Sequence, residues 1–202
     1  MVTKMSRVLP ILFNTDMVRA ILDGRKTVTR RLIKPQPQGY FEVNEEPMYI
    51  YDTDFQQGRI KSPYQPGDIL YVQETWSPVF VVPRRYLYKV GCKEAENLPV
   101  KWHPPIHMPK EAARIWLKVK DVRVERLQEI TEEQAKTEGA IDNRGFIHSP
   151  YNEHDSIHTA KEHYKQIWNS TIKKSDLDLY GWDANPWVWV IEFERCEKPE
   201  GW

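Results

Sequence analysis

Apolar positions in this chain come in short runs that alternate between strand-like and helix-like spacing. Val8 to Phe13 is a compact apolar run and predicts a strand. Asn14 or Thr15 can then cap a helix in which Met17, Val18, Ile21 and Leu22 recur at helical spacing, with Gly24 suited to the left-handed residue after its last turn. Lys26 to Ile33 is rich in β-branched residues and predicts a second strand. Prolines, tyrosines and acids dominate from Pro35 to Pro66, an excursion with one hairpin over Tyr40–Val43 and Met48–Tyr51. Pro66-Gly67-Asp68 is a turn into the strand Ile69–Val72, and further strands are predicted at Arg85–Val90, along Ala113–Leu127 and over Trp187–Phe193. Trp102–Pro109 reads as proline-rich loop. Thr131-Glu132-Glu133-Gln134 matches a capping box for a helix ending near Glu138 before Gly139, and a later helix is predicted over His158–Trp168. Outside that hairpin, six strands and two or three short helices make an α+β chain, a small curved mixed sheet or barrel with helices covering its ends.

With 202 residues and no repeat or long linker, the simplest organisation is one domain, 1–202, with insertions near 35–65, 77–110 and 141–180. An apolar content of 40% supports a real core. Lysine plus arginine and aspartate plus glutamate both total 29, which argues against coating nucleic acid by bulk charge but leaves room for a local basic site. Two cysteines cannot build a disulfide framework, and buried packing is the default for Cys92 and Cys196. No leader-like or membrane-spanning run appears, so a cytoplasmic protein without a membrane partner is expected. The absence of a glycine-rich phosphate loop and of Rossmann-type alternation removes the common nucleotide cofactors, and no metal or cofactor is expected. His154, His158 and His163 read as a solvated helix face rather than as metal ligands.

Charge is concentrated in one place. Arg25, Lys26, Arg30, Arg31 and Lys34 fall within ten residues with no acid among them. A solvated strand edge, protected by its cations, is one reading, and an anion or nucleotide site is the other. Thr27 and Thr29 lie inside the island, and a threonine hydroxyl needs a base to become a nucleophile. Lys26 can serve only if burial and neighbouring cations bring its amine from about 10.4 towards about 7–8. Residues 26 and 29 differ in parity, so their cooperation requires Lys26 to sit in the bend before the regular strand begins. Glu138 is a second oddity, an acid in a last helical turn where the macrodipole disfavours it; it is either an exposed glutamate or a carboxylate placed for a lysine. Glu74 and Trp76 follow a strand, and Trp182, Asn185 and Trp187 cluster near the end of the chain; they either line a pocket or pack in the core. Asn185 precedes a proline, so an extended backbone is expected there, and its amide could equally brace the turn.

The run Ile21-Leu22-Asp23-Gly24-Arg25-Lys26-Thr27-Val28-Thr29-Arg30-Arg31 resembles the signature segment of the ASCH domain family, whose fold is a PUA-like β-barrel. Pro66 to Val72, Leu127 to Gly139 and Val188 to Phe193 match in the family's order, so that the resemblance covers about half the chain. Glu74-Thr75-Trp76, Ile106-His107-Met108-Pro109 and the Asn-Pro-Trp-Val-Trp-Val ending look like members from phages and prophages, which implies the cytoplasm of a bacterial host. The Gly-Arg-Lys-Thr segment is similar to that of the family's small amidohydrolases acting on N4-acetylcytidine. That resemblance implies Lys26, Thr29 and Glu138 as catalytic residues, with Arg31 matching the family arginine. Arg25, Arg31, Glu74, Trp76, Asn185 and Trp187 are then expected at the substrate, an acylated pyrimidine nucleoside or related modified base. Other ASCH relatives are linked to RNA binding or cleavage, which implies two alternatives: a module for single-stranded RNA, or a phage-encoded protein that binds a modified nucleotide without chemistry.

Overall fold

The computed structural model describes residues 6–38, 40–45, 48–52, 59–79, 85–92, 100–144 and 158–201. In chain order its elements are β1 (Val8–Leu12), α1 (Thr15–Leu22), β2 (Val28–Leu32), β3 (Phe41–Glu45), β4 (Met48–Asp52), β5 (Arg59–Lys61), β6 (Ile69–Gln73), β7 (Trp76–Val79), β8 (Arg85–Tyr88), β9 (Trp116–Arg126), α2 (Glu132–Thr137), α3 (Ala160–Thr171), α4 (Leu177–Tyr180) and β10 (Trp187–Cys196). The class is α+β, with strands gathered in several sheets and short helices between them. Two compact units divide the chain: Met1–Gly24, Pro66–Lys120 and Phe193–Trp202 form the first, Arg25–Gln65 and Asp121–Glu192 the second.

In the first unit β1 runs parallel to β6, in the register Val8↔Ile69 to Leu12↔Gln73, and β6 pairs antiparallel with the start of β9 at Tyr71↔Trp116. β1 tolerates Pro10 because it is an edge strand, where a missing N–H breaks no ladder. Leu70 and Val72, two apart on β6, are both fully buried, as alternation along a half-buried strand requires. The cap of α1 is Asn14, whose side-chain oxygen accepts the Met17 N–H at 2.9 Å. β7 and β8 form a hairpin, Trp76↔Tyr88 to Val79↔Arg85. The sequence misses β7 because Pro78 sits inside it.

In the second unit β2 is the edge strand and pairs antiparallel with β10, from Val188↔Leu32 to Glu192↔Val28. β3, β4 and β5 make a three-stranded antiparallel meander, where the sequence predicted only one hairpin. The core combines Val28, Val188 and Val190 from the β2–β10 face with Leu127, Ile130 and Ala135 around α2 and with Tyr164, Trp168 and Trp182. α3 begins two residues later than expected, with Thr159 rather than a residue before it as the cap, and runs on to Thr171. The four-residue α4 is too short to leave a periodic signal. Two further expectations are corrected. The strand predicted from Lys26 begins at Val28, leaving 25–27 without regular structure. Asn185 is not extended but left-handed, at φ 47° and ψ 54°, closing the tight turn 182–184; asparagine adopts that region readily enough to override the preference set by Pro186.

Candidate functional site

The site assembles where 25–29 meets the end of α2. Thr131 accepts the Gln134 N–H at 3.2 Å and Gln134 Oε1 accepts the Thr131 N–H at 3.0 Å, so the capping box fixes where α2 starts. Six residues later the helix stops at Glu138, whose φ and ψ are still helical, and Gly139 reverses the chain at φ 92°. The last carbonyls of a helix lack intrahelical donors. Here the cationic segment supplies them: Thr27 N–H donates to Thr137 O at 2.9 Å, Arg25 Nη1 to Gly139 O at 3.2 Å and Lys26 Nζ to Glu138 O at 2.9 Å. Cations at this end offset the cost of placing the Glu138 carboxylate there.

The Lys26 side chain is fully buried, with three acceptors around its amine: Val28 O at 2.7 Å, Glu138 O at 2.9 Å and Glu138 Oε2 at 2.7 Å. Burial is the largest influence on this amine and lowers its pKa; Glu138 opposes the shift, while Arg31 and Arg30 add to it. Glu138 is itself buried, and its second oxygen accepts from Arg30 Nη1 at 3.2 Å. Burial first, then the charge of Glu138, push the phenol of Tyr164 on α3 well above the ordinary range. Arg30 continues outward through Nη2, to Glu125 at 2.9 Å and to Gln134 at 3.3 Å.

Thr29 is also buried, one residue into β2. Strand alternation separates it from Arg30: Val28, Arg30 and Leu32 face the core with Val190 and Val188, whereas Thr29 and Arg31 share the other face with Ile191 and Trp189. Lys26 nonetheless stands close to the strand edge, because the carbonyl it binds belongs to the peptide bond leading into Thr29. An open groove of about 700 Å³ lies beside this junction, lined by Arg25, Glu133, Gln134, Lys136, Thr137, Ala140, Ile141 and Asp142. Neither Lys26 nor Glu138 lines it. Asp142 at its rim is lowered to about 2 by Arg144.

The remaining expected residues fall elsewhere. Glu74 and Trp76 belong to the first unit. There Glu74 takes a two-pronged bond from Arg114, 2.8 Å on each side, and Trp76 packs with Tyr86, His103 and Met108. Asn185 Oδ1 accepts the Gln128 N–H at 2.8 Å and so braces its turn. Trp187 lies under the Arg126 guanidinium at 4.2 Å, edge-on to Phe41. Trp182 is a core residue. His163 Nδ1 accepts the Ile141 N–H at 2.9 Å and its ring meets that of His158; His154 lies outside the described residues. Arg30 and Tyr164 are the participants that the sequence did not assign. The signal for Arg30 was its parity with Val28, which sets a guanidinium on an apolar strand face.

No family model and no curated protein matches the chain. Its fold is similar to that of a solved Enterococcus faecalis protein described under the family name DUF984, with 11% identity, 96% of this chain and 78% of that one covered, and a TM-score of 0.44. An ASCH domain from Lactobacillus crispatus is similar at 12% identity, covering 94% of this chain and 79% of that one, with a TM-score of 0.43. A third structure, of a hypothetical protein, gives 14% identity, 94% and 99% coverage and a TM-score of 0.36.

Proposed function

We propose that the chain is an ASCH-type amidohydrolase acting on an acylated pyrimidine nucleoside or base, of which N4-acetylcytidine is the representative. The observation that carries this reading is the Lys26–Glu138 pair: a desolvated amine with a lowered pKa, held at 2.7 Å by a buried carboxylate beside the peptide of a buried threonine. Desolvation is how a lysine becomes a base near neutral pH. In the forward step neutral Lys26 takes the Thr29 hydroxyl proton as Oγ bonds to the acyl carbon. The tetrahedral oxyanion is met by Arg31, which shares the Thr29 face. Collapse breaks the C–N bond, and Lys26 returns the proton to the departing exocyclic amine. Water, activated by the same amine, then hydrolyses the threonyl ester to the free acid. Glu138 holds Lys26 in place throughout.

The test is a panel of N4-acylcytidines, followed by release of the carboxylic acid and cytidine. Turnover by the wild-type protein is expected, with Thr29→Ala lowering kcat at least about 100-fold while the fold is retained. No turnover across the panel overturns the reading.

A second reading draws on the meander. Cross-strand pairs Tyr49↔Lys61 and Tyr51↔Arg59 set two tyrosines and two cations on one sheet face, and Arg59 lies 4.9 Å from the Tyr49 ring centre. Aromatics interleaved with cations suit unpaired bases and their phosphates. This reading predicts binding of single-stranded RNA with a salt slope of about −1.4, two phosphate contacts' worth, which Tyr51→Ala weakens.

A further inference from the structure

Arg30 is the most deeply committed cation that the proposed chemistry does not use. Its side chain is wholly buried, two residues from the start of an edge strand, on the face that otherwise carries Val28 and Leu32. A guanidinium there is costly unless it is paired. Its Nη atoms reach three acceptors, Glu138 at 3.2 Å, Glu125 at 2.9 Å and Gln134 at 3.3 Å, while its Nε–H is buried with no hydrogen-bond partner. An orphaned N–H costs stability. The side chain is therefore placed to reach two acids, not to satisfy all its own donors.

Those acids form a continuous alternation of charge. Lys26 contacts Glu138, Glu138 contacts Arg30, Arg30 contacts Glu125, and Glu125 accepts from Arg123 Nε at 2.7 Å. Arg123 in turn reaches Asp121 at 3.2 Å and Glu192 at 3.5 Å, at the surface. Lys26 can gain and lose a proton, whereas an arginine guanidinium keeps its own. If Lys26 were the only cation on Glu138, releasing its proton would strand a buried carboxylate, and the pair would hold the amine charged.

We infer that Arg30 is a positioning residue for the Lys26–Glu138 pair: it gives the Glu138 carboxylate a permanent cation, so that Lys26 can act as a neutral base without leaving a buried charge unpaired. The inference rests on the reading of Lys26 as the base, and it makes Arg30 matter through its charge. The groups facing Lys26 are Glu138 at the end of α2, Arg30 and Arg31 on β2, and beyond them Tyr164 on α3 and Glu125 on β9. Removing the Arg30 charge leaves Glu138 to Lys26 alone and raises the lysine's titration midpoint. Removing the Glu125 charge turns Arg30 wholly towards Glu138 and lowers it.

The experiment is an NMR titration of the Lys26 Nζ signal, assigned by its loss in Lys26→Met, in the full chain. Arg30→Gln is expected to move the midpoint up by about one pH unit or more, and Arg30→Lys to leave it near the wild-type position. Glu125→Gln, at a partly exposed site, is expected to move it down and carries the test should Arg30→Gln not fold. In the N4-acetylcytidine assay the acid limb of the pH–rate profile moves with the midpoint. A midpoint unmoved by Arg30→Gln in a folded protein, or by Glu125→Gln, overturns the inference. Midpoints that move as expected in a protein without turnover would leave the charge relation standing and remove the hydrolase reading instead.

Discussion

Lys26 and Glu138 stand out at the residue scale because each breaks a local rule. One is a lysine taken wholly out of water; the other is an acid at the wrong end of a helix, and each answers the other's cost. Truncating Lys26 to Met leaves Glu138 paired with Arg30, so the stability loss should stay at the low end for a broken buried pair, about 3 kcal/mol in urea unfolding. The pH dependence has two parts of opposite sign. Burial keeps Lys26 below its ordinary 10.5, so between its folded pKa and 10.5 the unfolded chain binds the extra proton and stability rises with pH. Tyr164 is held above its ordinary 10.0, so above that pH the unfolded chain gives up a proton that the folded one keeps, and stability falls. Urea midpoints measured between pH 8 and pH 11.5 should lose the rising limb in Lys26→Met and the falling limb in Tyr164→Phe. Both oddities were legible in the sequence as violations of local preference. Tyr164 was not, because a tyrosine in an apolar helix stripe looks like any core residue until the acid opposite it is known.

At the scale of elements, α2 is a short lever whose two ends are set by identifiable residues. Its start is fixed by Thr131 and Gln134, its end by Gly139, and its C-cap residue, Glu138, is the one that meets Lys26. Thr131→Ala should cost about 1 kcal/mol by removing the cap. Gly139→Ala forces a side chain into a left-handed turn, costs at least about 1 kcal/mol and displaces Glu138 as well. Thermal melts should therefore report both variants, whereas loss of turnover should be the larger in Gly139→Ala. The capping box and the glycine were readable because they are sequence-local. The meander was only half readable: β4, with Met48 and Ile50 on its buried face, carries an apolar alternation, but β5 is three residues long with a cation at each end. β2 shows the reverse case. Its β-branched run reaches back to Lys26, yet the ladder starts at Val28, because Lys26 and Thr27 spend their polar groups on the end of α2.

For the whole molecule, each unit is made of segments distant in sequence, and two of the four divisions between them are marked in the sequence, at Gly24 and at Pro66. The other two fall inside β9, between Lys120 and Asp121, and inside β10, between Glu192 and Phe193, where no proline or glycine marks a change. Zero net charge conceals how the charges are spent: many are paired, and several pairs are buried. Glu74 illustrates this in the first unit. Its carboxylate is buried against Arg114, which is about a third exposed and can turn to water, so Glu74→Gln should lower stability by about 2 kcal/mol in a denaturant melt. Among the described residues no helix is long and apolar enough to cross a membrane. The island of cations is thus divided by the fold: Arg25, Lys26 and Arg30 bind the end of α2 and its acid, and Arg31 shares the Thr29 face.

The measurement that bears most directly on the central claim is kcat/KM for N4-acetylcytidine in the wild-type protein and in Lys26→Met, each shown to be folded by circular dichroism. Loss of the general base predicts a fall of about 100-fold to 10,000-fold in the variant. Equal rates in the two proteins, or no cytidine released by either, would contradict it.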